Sequence, residues 1–183
     1  VLQGQRALDI EWVHGDFANW DSNRIKSFME KKGGSGKAVI ARKESDVTTA
    51  HKKAASVFEV QYEVPFTHHA TMEPMNCTAI VGDDSCEVWT GTQYQSNDRT
   101  VVANLLDLPE SAVTINRTLM GGSFGRRASK SADYVTDAVQ AAQGEGRPVQ
   151  IIWSREEDIR GGHYRPLFVH RMRGALADDG YPL

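Results

Sequence analysis

Residues 119–127 read Leu-Met-Gly-Gly-Ser-Phe-Gly-Arg-Arg, placing three glycines, a small hydroxyl, an aromatic ring and two cations in one short stretch. That mixture packs poorly in a core. Glycine, however, lets backbone N–H groups approach a ligand closely, and Arg126 and Arg127 add positive charge, so the stretch is expected to bind an anion. The candidate contacts are Gly121, Gly122, Ser123, Phe124, Gly125, Arg126 and Arg127. Composition alone favours a tight, mobile glycine turn with solvated arginines, and it is the context that shifts the balance. Residues 113–116 alternate like a strand before the loop, while Tyr134, Val135, Ala138, Ala141 and Ala142 recur at helical spacing after it. The loop is therefore expected to join a strand to a helix.

Other residue types capable of chemistry are scattered. Glu73, next to Pro74, suits either a general base beside an apolar rim or a surface turn. His68 and His69 are adjacent, so on a strand they face opposite ways and cannot jointly chelate a metal. Glu156, Glu157 and Asp158 follow a strand-like run and read as the acidic first turn of a helix. Trp89 and Trp153 are expected to fill core space. Cys77 and Cys86 flank a turn at 82–85 that would pair Cys86 with Ile80 or Val81. Cys77 then lies roughly 10–13 Å away along the partner strand, too far for a disulfide, and both thiols are expected to be reduced. Residues 33–38 superficially suggest a phosphate-binding P-loop, but Ala38 stands where a hydroxyl must hold magnesium and a helix rather than a strand precedes them. They are expected to form a flexible linker.

Four ordered blocks carry a resemblance to a known family: HHATMEPMNCTA at 68–79, EVWTGTQYQ at 87–95, the loop at 119–127, and WSREEDIR at 153–160 followed by YRP at 164–166. Together they resemble the molybdenum-binding subunit of the xanthine dehydrogenase and aldehyde oxidase family, in the branch typified by the beta subunit of isoquinoline 1-oxidoreductase. The resemblance implies a molybdopterin-type molybdenum cofactor in its cytosine dinucleotide form, held by the whole protein and absent from this segment alone. It implies that the amide of Gln93 bonds an oxygen ligand of molybdenum, and that the backbone of Phe124 and Gly125 lines the same site. No protein side chain is implied as a metal ligand.

The implied reaction is oxidation of an N-heterocycle or an aldehyde with water as the oxygen source. Electrons would leave through a 2Fe–2S small subunit, and the remaining domains of the same subunit would complete the site. The family's catalytic glutamate lies outside these residues, so the segment alone is expected to be inactive. Relatives carry Gly-Gly-Lys-Glu after the phenylalanine, whereas this chain has Gly125, Arg126, Arg127 and Ala128, which weighs against purine substrates. The alternative is a non-catalytic phosphate, nucleotide or interaction module on Gly121 to Gly125. Gln93 separates the two readings, because a phosphate module has no use for an uncharged amide there.

The elements that must position these residues fit one domain. The chain has 183 residues, 40% hydrophobic and 25% charged, enough to bury a core. Its net charge of −3 provides no basic field for nucleic acid, and no apolar run approaches a membrane span. Cytoplasm and periplasm both remain open. A helix is expected from Asp21 or Ser22 to Gly33 with Ile25, Phe28 and Met29 on one face, and a polar helix over 46–55. Strands are expected at 9–13, 38–42, 57–64, in a hairpin over 76–90, and at 148–153 and 168–176, with a helix over 96–106. Phe58, Val60, Tyr62 and Val64 should face a core. Strand-like runs at both ends lack partners, so residues 1–183 read as a single internal segment cut at both ends. The fold class is α+β: a mixed sheet with helices packed mainly on one face.

Overall fold

The computed structural model describes residues 1–36 and 38–183; Lys37, within the expected linker, lies outside the described residues. In chain order the elements are α1 (Leu2–Arg6), α2 (Ser22–Gly33), α3 (Val47–Lys53), β1 (Ser56–Val64), β2 (Thr67–His68), β3 (Asn76–Val81), β4 (Cys86–Thr90), α4 (Gln95–Leu106), β5 (Val113–Arg117), α5 (Asp133–Ala142), β6 (Val149–Ile152), α6 (Arg155–Gly161), β7 (Tyr164–Arg165) and β8 (Phe168–Leu176). Short 3₁₀ turns occupy Gly15–Phe17, Glu110–Ala112 and Arg126–Ala128. The chain forms two compact units, Thr67–Arg165 and the flanking Val1–Phe66 with Pro166–Leu183.

The unit Thr67–Arg165 is built on a four-stranded sheet in the order β5-β4-β3-β6. β3 and β4 form the expected hairpin, closed at Val81 opposite Cys86 and by the Gly82 N–H donating to the Ser85 carbonyl at 2.9 Å. β6 adds antiparallel to β3, while β5 adds parallel to β4 after the crossover through α4. Alternation then sorts the faces. Cys77, Ala79, Cys86, Val88 and Val113 point to one side, where they meet Val102 and Ala103 of α4 and Tyr134, Val135, Ala138, Val139 and Ala142 of α5. Each buried Val-sized side chain contributes about 1.5–3 kcal/mol, so this layer supplies the unit's main cohesion. A mixed sheet with helices on one face is the α+β arrangement expected.

Some details differ from the pattern read in the sequence. In α5 the buried stripe uses Val139 rather than Ala141, which is exposed. Trp89 sits on the sheet face away from α4 and α5 and is only half-buried, because Val88 and Thr90 take the core side. Trp153 does pack against the core edge, its Nε1–H donating to Asp137 Oδ2 at 3.1 Å.

In the unit formed by Val1–Phe66 and Pro166–Leu183, β1 pairs with β8 along its whole length, Ser56 opposite Leu176 through Val64 opposite Phe168. α2 and α3 begin as their caps dictate: Asp21 accepts from the Arg24 N–H at 2.7 Å, and Asp46 accepts from the Thr48 N–H at 3.0 Å. The apolar alternation of β1 is real but uncovered. Phe58, Val60, Tyr62 and Val64 are exposed, since a two-stranded ribbon brings no second layer of its own. Residues 9–13 and 38–42 form no strand among the described residues, because no neighbouring strand pairs with them. The turn after β8 is closed by the Gly180 N–H donating to the Ala177 carbonyl at 3.0 Å.

Cys77 and Cys86 are free and buried. Burial pushes the Cys77 thiol up to about 12 and the Cys86 thiol up to about 11, leaving almost no thiolate at neutral pH. In the native protein, peptides containing Cys77 and Cys86 should therefore stay unlabelled by a thiol reagent over hours and label fully on denaturation. Mass-spectrometric mapping checks this, and rapid native labelling of either cysteine would show that the helical layer does not seal the sheet.

Candidate functional site

β4 and β5 are parallel neighbours, so the segments that follow them leave from the same end of the sheet. In open sheets with helical crossovers, that carboxyl end is where ligand-binding loops collect. After β4 the chain runs through Gly91, Thr92 and Gln93; after β5 the Thr118 N–H still reaches the Thr90 carbonyl at 3.0 Å before the glycine loop opens. Gln93 and the loop are thereby brought together. The Gln93 N–H donates to the Arg127 carbonyl at 3.0 Å. The Gln93 Oε1 accepts a short bond from Ser123 Oγ, which in turn accepts from the Arg127 N–H at 3.1 Å. The Gln93 side chain is exposed, and its Nε2 donor has no partner among the described residues.

The loop conformation requires its glycines in two ways. Gly122 and Gly125 have φ of +98° and +99°, a region open mainly to glycine, and a Cβ on Gly121 would lie 2.5 Å from Glu73 Cβ. Phe124 also has positive φ, +55°, which costs an aromatic residue about 1–3 kcal/mol and here turns the ring outward, 69% exposed. Within the loop the Gly121 N–H donates to Glu73 Oε2 at 2.8 Å. The N–H groups of Gly122, Ser123, Phe124 and Gly125 have no hydrogen-bond partner among the described residues. Four consecutive unpaired donors, with no atom closer than 3.9 Å to a Cβ built at Gly125, are an arrangement able to take acceptor atoms.

The two arginines do not contribute to that surface. Both are buried. Arg126 makes a bidentate pair with Asp133, at 3.0 and 2.6 Å, and lies over the Trp153 ring. Arg127 donates to the Gly122 carbonyl through Nε and to the Gly91 carbonyl through Nη1, each at 3.1 Å, and to Glu73 Oε2 at 2.9 Å. The guanidinium groups of Arg126 and Arg127, expected to contact a ligand, instead face inward: Arg126 is paired with Asp133, and Arg127 bonds the Gly122 carbonyl of the loop, Gly91 and Glu73.

Glu73 is corrected in the same way. Burial raises its pKa, but the Gly121 N–H, the Asn76 amide and the Arg127 guanidinium together outweigh that and hold the carboxyl below its ordinary value. A carboxylate committed to three donors is a clamp, not a general base. His68 and His69 do not face opposite ways, because β2 ends at His68: the ring centroids are 6.4 Å apart with planes at 76°, but their nitrogens take different partners, His69 Nδ1 sitting 3.2 Å from the His163 carbonyl and His68 Nδ1 accepting from the Ala70 N–H at 2.9 Å. Burial, and then the positive charges of Arg165 and Arg126, hold His69 below its ordinary value despite the His163 carbonyl. No group of three metal-ligating side chains converges among the described residues.

Sequence reasoning missed the supports. Asp98 is buried beneath the site and accepts from Thr92 Oγ1; burial raises its pKa, opposed by that bond. Tyr134 donates to the Gly91 carbonyl at 3.0 Å. Asp158, expected only to favour a helix start, is fully buried against Arg155 at 2.8 Å. Their spacing of three residues on a helix was a usable signal; the pairings of Arg127 with Glu73 and of Arg126 with Asp133 left none.

With this geometry established, comparison places the chain among known proteins. The sequence matches the molybdopterin cofactor-binding domain family over residues 31–182. It is 30% identical to a membrane-bound aldehyde dehydrogenase (pyrroloquinoline-quinone) of Gluconacetobacter polyoxogenes, over 96% of this chain and 23% of that protein. It is 28% identical to the isoquinoline 1-oxidoreductase subunit beta of Brevundimonas diminuta, over 97% and 24% respectively. The solved structure of quinoline 2-oxidoreductase from Pseudomonas putida 86 superposes with a TM-score of 0.67 at 25% identity, over 75% of this chain and 18% of that one. The chain thus spans about a quarter of the length of the curated relatives it matches.

Removing Arg127 should release the loop. In the full-length protein, Arg127→Met leaves the Gly122 carbonyl without its donor and Glu73 without its charge partner, a loss of about 3–5 kcal/mol for a buried pair, set at the lower end because Glu73 is 37% exposed and screened. Hydrogen exchange at the bonded amides of Gly121, Arg126, Arg127 and Ala128 should accelerate roughly a hundredfold, and Arg127→Lys should restore only part of the protection; unchanged exchange in Arg127→Met would refute the clamp. Because the folded Glu73 carboxyl lies below its ordinary 4.5, its contribution is complete above pH 4.5 and fades as pH falls through the lowered value. Loop protection should therefore drop below pH 4.5 in wild type, and this acid step should be absent in Glu73→Gln.

Proposed function

Because this chain belongs to the molybdopterin cofactor-binding domain family, we propose that Gln93 and residues 121–125 form one wall of the cofactor site in a molybdenum hydroxylase. The observation that supports this reading is the pairing of Gln93 with Ser123 beside four unpaired backbone N–H groups. A bound molybdopterin cofactor supplies the two-electron oxidation of a substrate carbon, with water as the oxygen source. The chain's own part is to hold and orient it. The N–H groups of Gly122 to Gly125 offer donors to its oxygen atoms, the Gln93 amide offers a further donor, and the outward Phe124 ring supplies an apolar edge that excludes water. Arg126 and Arg127 act through the loop's shape.

The proposed substrates are N-heterocycles or aldehydes, in keeping with the names of the relatives. The printed name of the Gluconacetobacter polyoxogenes protein specifies pyrroloquinoline quinone rather than molybdopterin; the match across 31–182 favours molybdopterin for this chain. We assign the cofactor to the cytosine dinucleotide form, and the electron acceptor to a 2Fe–2S subunit. Residues 1–183 constitute one segment of the cofactor-binding region, with the catalytic glutamate elsewhere in the protein. No helix among the described residues is long and apolar enough to cross a membrane. The phosphate-module alternative loses support because both loop arginines are neutralised internally.

Gln93→Ala in the full-length protein is the test. Turnover of isoquinoline or an aldehyde with an artificial acceptor should fall about tenfold or more, the effect of losing one charge-assisted hydrogen bond. Metal analysis should still find molybdenum, and quinone analysis none. Wild-type turnover in this variant would remove Gln93 from the site. Segment 1–183 expressed by itself should lack stoichiometric molybdenum and turnover.

A further inference from the structure

Three buried polar atoms in the unit Thr67–Arg165 have no hydrogen-bond partner among the described residues: His68 Nε2, Arg126 Nε and Asp158 Oδ1. They come from three different segments, β2, the exit of the glycine loop and α6, and His68 Nε2 lies close to each of the other two. His68 Nε2 is 3.7 Å from Asp158 Oδ1, beyond a direct hydrogen bond and at a separation that a bridging molecule spans. The missing side chain of Gly162 marks the gap. A Cβ built there would lie 3.4 Å from both Arg126 Nε and His68 Nε2, and 2.5 Å from the Asp158 carbonyl oxygen. One point in space is therefore within reach of two nitrogens and borders the Asp158 backbone.

The donor and acceptor pattern specifies what fits. His68 Nδ1 accepts the Ala70 N–H at 2.9 Å, so the ring proton is on Nε2 and points into the gap. Arg126 Nε–H is a second donor, and Asp158 Oδ1 is an acceptor. Charge is already balanced: Arg126 is paired with Asp133, and Asp158 Oδ2 with Arg155 at 2.8 Å. An anion would meet the Asp158 carboxylate, and a cation would meet two N–H donors. A neutral molecule that accepts two hydrogen bonds and donates at least one satisfies every group.

We propose that a single water molecule is bound here, accepting from Arg126 Nε–H and His68 Nε2–H and donating to Asp158 Oδ1. Buried waters typically make about three such bonds to groups that are otherwise unsatisfied. This water ties the loop exit at Arg126 to β2 and α6, so the third guanidinium hydrogen bond of Arg126, beside the two to Asp133, is made through solvent. Gly162 is required because a side chain would occupy the same space.

The test is a crystal structure of the full-length protein at a resolution that places ordered solvent. The expected result is an isolated density peak about 2.7–3.2 Å from all three atoms, refining as water and without anomalous signal. Direct contact of His68 Nε2 with Asp158 Oδ1 across a closed gap would overturn the proposal, as would a peak that refines as an ion. As a second measurement, His68→Leu removes one donor, whereas His68→Gln keeps one. Faster hydrogen exchange at the bonded amides of Arg126, Arg127 and Ala128 in the leucine variant, with wild-type exchange in the glutamine variant, is expected; equal exchange in both would overturn the bridging role.

Discussion

The arrangement around the loop depends on one buried cation. Arg127 is taken out of water, a step that costs several kcal/mol unless the charge is well solvated by the protein. Solvation comes from the carbonyls of Gly91, Gly122 and Glu73 and from the Glu73 carboxylate, which together meet the planar fork of the guanidinium. A lysine offers a single ammonium centre and cannot reach all four. Within the loop it is the Gly122 carbonyl that meets this cation, at a residue whose φ of +98° favours glycine. The N–H groups of Gly122 to Gly125 take no part in the clamp and have no partner among the described residues. The buried arginine thus fixes the backbone that carries these donors.

The layer beneath gives this clamp a rigid footing. Tyr134 from α5 bonds the same Gly91 carbonyl that Arg127 holds, and Thr92 is tied to Asp98 on α4. Both helices are packed on the buried face of the four-stranded sheet. The unit Val1–Phe66 with Pro166–Leu183 is held differently. It relies on the long β1–β8 ladder, and Ala175 is its only hydrophobic residue in the buried class among the described residues.

The wall proposed here, made of backbone donors and one neutral amide, would recognise acceptor oxygens and carry little information about the rest of a substrate. That is consistent with a domain family whose relatives bear names as different as an aldehyde dehydrogenase and an isoquinoline oxidoreductase subunit. Residues that distinguish substrates need side chains of their own; around this loop the outward candidate is Phe124, held exposed by an unfavourable backbone angle.

By itself the sequence determined what is local. The caps at Asp21, Asp46 and Ser154 start their helices where their side chains can accept backbone N–H groups. The turn at 82–85 set the register that keeps Cys77 and Cys86 apart, and the glycine spacing marked a loop between a strand and a helix. Four sequence blocks also pointed to the family. Tertiary structure decided what depends on distant partners. Runs at 9–13 and 38–42 have strand-like alternation, yet a strand exists only where another pairs with it. Alternation in β1 specifies an apolar face but not whether anything covers it. Arg126 and Arg127 look like solvent-facing cations in a polar loop; their burial follows from Asp133 and from Glu73, 54 residues away from Arg127. Short-range propensity and periodicity act over a few residues, whereas desolvating a charge is decided by whichever groups the fold brings to it.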